Sequence, residues 1–96
     1  MLSVYVAEAV GSFVFFVIVL SKGEPVKVAV ALLIGILIAT IASQGHLNPG
    51  ISAMAYMQGK FTADETIGYV AAQLIAAIAA VYWFNYYEST IKLIKT

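Results

Sequence analysis

Cysteine is absent from the 96-residue chain, and charge, histidine and proline are scarce. Without cysteine there is no disulfide frame, no thiolate zinc cluster and no thiol nucleophile, and the redox compartment leaves no mark. Charged residues make up only 10% of the sequence and cancel to a formal net charge of zero, so nothing points to nucleic acid or to electrostatic steering. The single histidine, His46, has no second histidine, cysteine or carboxylate cluster to share a metal with, and neither a metal nor another cofactor is expected. Ser43 near His46 lacks an orienting acid in any evident arrangement, so an enzyme is not expected either. The N-terminus lacks the basic lead-in of a signal peptide, and the first apolar run continues past a usual h-region, so that run is read as retained.

What the chain does have is apolar surface. It is 62% hydrophobic, with a mean hydropathy of +0.96. A soluble domain of this size buries too little of its area to hide that much, so lipid is the expected solvent and the bilayer the first partner. The pattern predicts an all-α, multi-pass membrane protein. A first span covers about 4–20, followed by the polar turn "SKGEP", in which Gly23 can terminate one helix and Pro25 suits the first turn of the next. A second span covers about 26–42, with Lys27 placed to snorkel. A third covers about 66–87, opened by a capping box at Thr62 and Glu65 and closed by the aromatic belt "VYWFNYY" and a polar tail. No internal repeat or linker is visible, so the chain reads as one domain or one half of one.

Between the second and third spans, residues 43–52 read "SQGHLNPGIS". Asn48 is a preferred N-cap and Pro49 tolerates the first helical position, so a short helix starts here and ends at Gly59-Lys60. A segment of that length cannot cross a bilayer and suits a re-entrant half-helix over about 43–59. Backbone exposed at membrane depth is tolerated only when packed in protein or lining a wet cavity. A strand-like "QGHL" would offer its carbonyls as acceptors, with Gly45 letting the backbone come close to a solute, and broken helices of this kind form solute sites in transporters. The plain alternative is a surface loop with His46 and Asn48 merely solvated. Met54, Tyr56 and Met57 are expected to pack rather than line a pore. The stripes Ala7/Gly11 and Ala72/Ala76/Ala80 are expected to let helices approach closely.

"GHLNPGIS" resembles the loop of the aquaporin (major intrinsic protein) family, "AEAVGSF" resembles its first-helix motif and "YVAAQLIAAIAA" its third helix. The resemblance covers nearly the whole chain and implies one aquaporin-like repeat: three transmembrane helices plus one re-entrant half-helix. It implies that Asn48 is a central hydrogen-bond donor to passing water, that Pro49 fixes the turn, and that His46 lines the pore just before it. It implies that Glu8 sits beneath the loop as an acceptor, where the residues alone also allow an interfacial carboxylate. Gln73 either braces the loop or bonds across helices.

The chain departs from the family in three ways. It holds one repeat where the family has two, so a pore needs either an antiparallel homodimer of inverted copies or a separate partner carrying the second repeat. Pores of this family usually cluster as tetramers. Gly50 stands where the family usually has alanine. Ile51 stands where its second repeat has arginine, Val28 aligns near the position where water-selective members carry an aromatic, and the sequence contains no arginine. The implied function is a passive channel for water or small neutral solutes such as glycerol. Lys60 is the only basic residue on the loop side, against Lys22, Lys27, Lys92 and Lys95 on the other, a small bias by the positive-inside rule. Two other classes compete. "AEAVGS" also resembles the small multidrug resistance family, in which Glu8 would exchange protons against a cationic drug, and the chain would otherwise be a non-conducting partner subunit.

Overall fold

The computed structural model describes residues 2–21 and 23–95, so Lys22 of the expected lysine-bearing side lies outside the described residues. Those residues form α1 (Leu2–Leu20), α2 (Pro25–Ala39), α3 (Pro49–Met57) and α4 (Ala63–Lys95), with no strand among them. α1 and α4 are long and apolar enough to cross a membrane, whereas α2, at 15 residues, is shorter. Only 17% of the Ser3–Leu20 stretch is buried within the chain. A core helix of a soluble protein would be mostly covered, so this apolar surface faces lipid or another chain. The architecture fits an all-α membrane protein.

α1 is the central helix, with α2 packed on one side and α4 on the other, while α3 rests on α4. Small residues set these distances. A Cβ on Gly35 would stand 2.8 Å from the Gly11 carbonyl oxygen, so α1 and α2 touch backbone to backbone. Ala72, Ala76 and Ala80 are buried along α4. The Tyr5 ring lies over Gly68 and meets Tyr69 edge-on at 5.9 Å, which sets α1 and α4 side by side.

Two boundaries differ from the sequence reading. α2 stops at Ala39 rather than near residue 42, because the chain tightens there: Ile41 and Ala42 donate to the carbonyls three residues back, and the Thr40 hydroxyl takes the Ile36 carbonyl at 2.8 Å. α4 runs unbroken through the expected polar tail to Lys95. No glycine or proline follows Gly68 in this helix, and Glu88 precedes Lys92 by four residues, the order that favours a helix. At its start, the Thr62 N–H donates to Glu65 Oε1 at 2.9 Å and the Glu65 N–H to Thr62 Oγ1 at 3.1 Å, a reciprocal capping box.

Candidate functional site

The segment between α2 and α3 is built around Glu8. Beyond the end of α2 at Ala39 the chain is not strand-like: Gly45 and Leu47 both have positive φ, at 67° and 56°. In a strand, successive N–H groups point to opposite sides. Here those of His46 and Leu47 turn to the same side and both reach the Glu8 carboxylate, His46 at 3.2 Å from Oε1 and Leu47 on Oε2. A left-handed conformation costs a leucine about 1–2 kcal/mol. It is offset by the bond to Glu8 and by burial of the side chain, which is 2% exposed.

Glu8 itself is fully buried, not an interfacial carboxylate near a helix start. Besides the two amides it accepts from the Ser43 hydroxyl at 3.0 Å and from Gln73 Nε2 at 3.1 Å. Four donors fill the acceptor capacity of one carboxylate, which is how a buried carboxylate without a cation beside it is accommodated. Gln73 also donates to Ser52 Oγ at 3.0 Å, so it both braces the loop and bonds across helices. Its amide oxygen is buried without a partner among the described residues, the consequence of aiming both N–H bonds at Glu8 and Ser52. A reversed amide would set oxygen against the carboxylate.

The His46 ring is held by a serine of α3. Ser52 Oγ lies 3.0 Å from His46 Nδ1 and accepts a hydrogen bond from Gln73 Nε2. The hydroxyl keeps its own proton and one free lone pair, so it either donates to Nδ1, with the ring proton on Nε2, or accepts from an Nδ1–H; only the first gives the serine proton an acceptor. The ring is packed as well, stacked on Phe61 at 4.9 Å and tilted against Tyr69 at 5.0 Å. One edge of it borders a cleft of about 530 Å³ shared with Gln44, Ile51, Met54, Met57 and Lys60. Met54, Tyr56 and Met57 are exposed rather than packed within the chain, since α3 leans on α4 through its opposite face, where Ser52 and Ala55 are buried.

Asn48 caps α3. Its Oδ1 accepts the Gly50 N–H at 2.7 Å, and its backbone carbonyl takes the N–H groups of Ile51 and Ser52. With the oxygen committed, the exposed amide presents only its NH₂. Pro49 occupies the first helical position and donates nothing. A methyl on Gly50 would stand 3.1 Å from Asn48 Oδ1, so the glycine leaves the cap room. The loop is asymmetric. The N–H groups of Gln44, Gly45, His46 and Leu47 all have partners inside the chain: the Tyr69 hydroxyl, Ser43 Oγ and Glu8. The carbonyls of residues 43–47 receive no hydrogen bond among the described residues.

Ile51 sits in the first turn of α3, near Asn48, whereas Val28 lies in the first turn of α2 against Gly23, at the end away from the loop; Gly45 is backed by Ile36 of α2 and its C-cap Thr40, so its missing side chain makes room for that helix rather than for a solute. Ser43 as a Glu8 donor, Ser52, Tyr69 and Phe61 went unrecognised in the sequence. Ser52 carried one signal: it is the serine four residues past the cap, on the same face of α3 as Ala55.

An all-α membrane protein with an interrupted, carboxylate-braced loop is the class these features define. No protein-family model matches the chain, and no solved structure matches it. It is similar to the glycerol uptake facilitator protein-like 6 of Lactiplantibacillus plantarum (strain ATCC BAA-793 / NCIMB 8826 / WCFS1), with 31% identity over 85 residues, 79% of this chain and 39% of that protein. The chain thus spans about two fifths of the length of the curated relative it matches, a half-length relationship to a glycerol-facilitator type of protein.

Proposed function

We propose that the chain is one half of a passive channel for water or small neutral solutes such as glycerol, completed by a second copy inserted upside down. The observation that carries this reading is the pairing of one outward amide with a row of unclaimed carbonyls beside the N-terminus of α3. Such a surface hydrogen-bonds a hydroxylated solute at both ends, donating to its oxygen and accepting its proton. The likeness to a protein named as a glycerol uptake facilitator supports the same class of solute. Two inverted copies would bring two α3 N-termini and two Asn48 amides together at mid-membrane, and would set Val28 of one copy on the same side of the bilayer as Ile51 of the other. Lys27, Lys92 and Lys95 lie towards one side and Lys60 towards the other, too small a bias to force a single orientation. The antiport reading draws no support, because Glu8 is fully buried under four donors.

The test is stopped-flow shrinkage of liposomes holding only this protein, with water and glycerol compared. Asn48→Asp is the informative variant. Aspartate keeps the oxygen that caps Gly50 and removes the NH₂, so the helix start survives and the donor is lost. Wild-type vesicles are expected to exceed empty ones in water or glycerol flux, and the variant to change that profile. Wild-type flux no greater than that of empty vesicles would leave the non-conducting subunit as the better account, and an unaltered profile in the variant would remove Asn48 from the centre.

A further inference from the structure

α4 is much longer than the helix it packs against. Its 33 residues extend about 50 Å, against about 28 Å for the 19 of α1. Tyr5 lies level with Gly68 and Tyr69, so fifteen residues further along each helix Leu20 comes level with Trp83 and Phe84. α4 then overhangs by about 16 Å. Where α1 gives out, the two helices enclose an open groove of about 1070 Å³, as large as clefts that hold small molecules.

The groove is graded along its length. Its inner part is apolar, floored by Val17 and Leu20 of α1 and by Phe84 of α4. Trp83 and Tyr87, 5.4 Å apart, border its middle and mark the membrane–water interface, where such rings settle. Its outer end carries Lys92 and Lys95. Lys92 follows Tyr87 by five residues, about 7.5 Å along the axis, which matches the depth of the headgroup layer outside the hydrocarbon. Glu88 also borders the groove, so its lining side chains carry one acid and two bases. A third ammonium stands at the α1 end, where Lys27 Nζ donates to the Ser21 carbonyl at 2.7 Å, and Ser21 borders the groove.

We propose that this groove binds an anionic phospholipid of the bilayer, its acyl chain on the apolar floor and its phosphate between Lys92 and Lys95. The grading favours a lipid over a second protein chain: apolar, aromatic and basic zones follow one another at the depths where a phospholipid has tail, glycerol and phosphate. The surplus of positive charge favours an anionic headgroup over a zwitterionic one.

Trp83 is the only tryptophan in the chain and borders the groove, so it reports occupancy without a label. The full chain is reconstituted in phosphatidylcholine vesicles doped with brominated phosphatidylglycerol or with brominated phosphatidylcholine of the same acyl composition. The brominated anionic lipid is expected to quench Trp83 at a mole fraction about fivefold lower, the size expected for roughly one net charge at an anionic surface. In Lys92→Gln/Lys95→Gln the two quenching curves are expected to coincide, with an unchanged helical circular dichroism spectrum. Equal curves in the wild type, a preference that persists in the double variant, or no quenching by either lipid would each overturn the site, the last because another occupant then covers it. No osmotic gradient is involved, so the outcome is independent of whether the protein conducts.

Discussion

Replacing Glu8 separates a bracing carboxylate from a merely buried one. In Glu8→Gln one carboxylate oxygen becomes an NH₂ group, and it must face either the Leu47–Gln73 pair or the Ser43–His46 pair. Facing Leu47 and Gln73 sets it against a backbone N–H that cannot accept, and it obliges the Gln73 amide to reverse and give up its bond to Ser52. Facing Ser43 is milder, because that hydroxyl can accept the new N–H while donating to the Ala39 carbonyl 2.9 Å away. Only the His46 amide then stays unpaired, at about 1–3 kcal/mol for one buried donor. Glu8→Ala strands all four donors. Discounting Ser43 for its second partner leaves three, or about 3–9 kcal/mol before relaxation or water entry reduces it. Leu47 in addition loses the bond that holds it in its left-handed conformation. Thermal unfolding in detergent, followed by circular dichroism, is expected to rank wild type above Glu8→Gln and Glu8→Ala well below both. Water flux through liposomes is expected to fall in the same order. An alanine variant as stable and as permeable as the wild type would refute the bracing role.

Because His46 is the only histidine, its tautomer can be read directly from ¹⁵N-labelled imidazole shifts in solid-state NMR. The wild type is expected to carry its proton on Nε2, the form that gives the Ser52 hydroxyl proton an acceptor, and Ser52→Ala is expected to yield a mixture of tautomers with a loss of about 1–2 kcal/mol in stability; a pure Nδ1–H form in the wild type would mean that Ser52 accepts from both His46 and Gln73. Gly35→Leu drives a side chain into the Gly11 carbonyl and is expected to cost about 1–3 kcal/mol or separate α1 from α2, checked by the same melts. Since the chain has no cysteine, Asp64→Cys creates a single reactive thiol near the start of α4. In intact cells a membrane-impermeant maleimide is expected to reach about half of the molecules if copies insert both ways; all or none labelled would argue against inverted pairing.

The helices were legible because apolar runs, the turn at Gly23-Pro25 and the capping box at Thr62 are local signals. The short helix α3 was legible for the same reason, since Asn48-Pro49 is a start signal whatever surrounds it. Glu8 and Gln73 stood out as polar residues in apolar segments, although the bond between them spans 65 positions of sequence and is set by packing. Leu47 was invisible: leucine gives no hint of a left-handed backbone, which is imposed here by a carboxylate 39 residues away. Ser52 and Tyr69 were hidden likewise, because their roles are to accept a hydrogen bond from another helix or from the loop. The exposure of Met54 and Met57 was missed because an apolar half-helix reads the same whether it packs in its own chain or faces outward.

Charge exclusion offers the sharpest check on the proposed conduit. Unclaimed carbonyls beside a narrow path attract cations, so the carbonyls of residues 43–47 taken alone would favour a cation leak. The N-terminus of α3 opposes them with about half an elementary charge, here with no acidic side chain in the first turn to cancel it. At about 5 Å and an effective dielectric of 20, half a charge repels a monovalent cation by about 1.7 kcal/mol, and two facing helix starts by about 3 kcal/mol, roughly a hundredfold in occupancy. Neutral solutes feel none of this and keep both hydrogen-bond partners. Liposomes loaded with potassium and conducting water through the protein are therefore expected to hold their potassium gradient as long as empty vesicles do. Gly50→Asp places a carboxylate in the first turn of α3 and is expected to admit a leak. Potassium escaping alongside water from wild-type vesicles would mean that the carbonyls outweigh the helix starts, and that the two α3 N-termini do not face one another across the path.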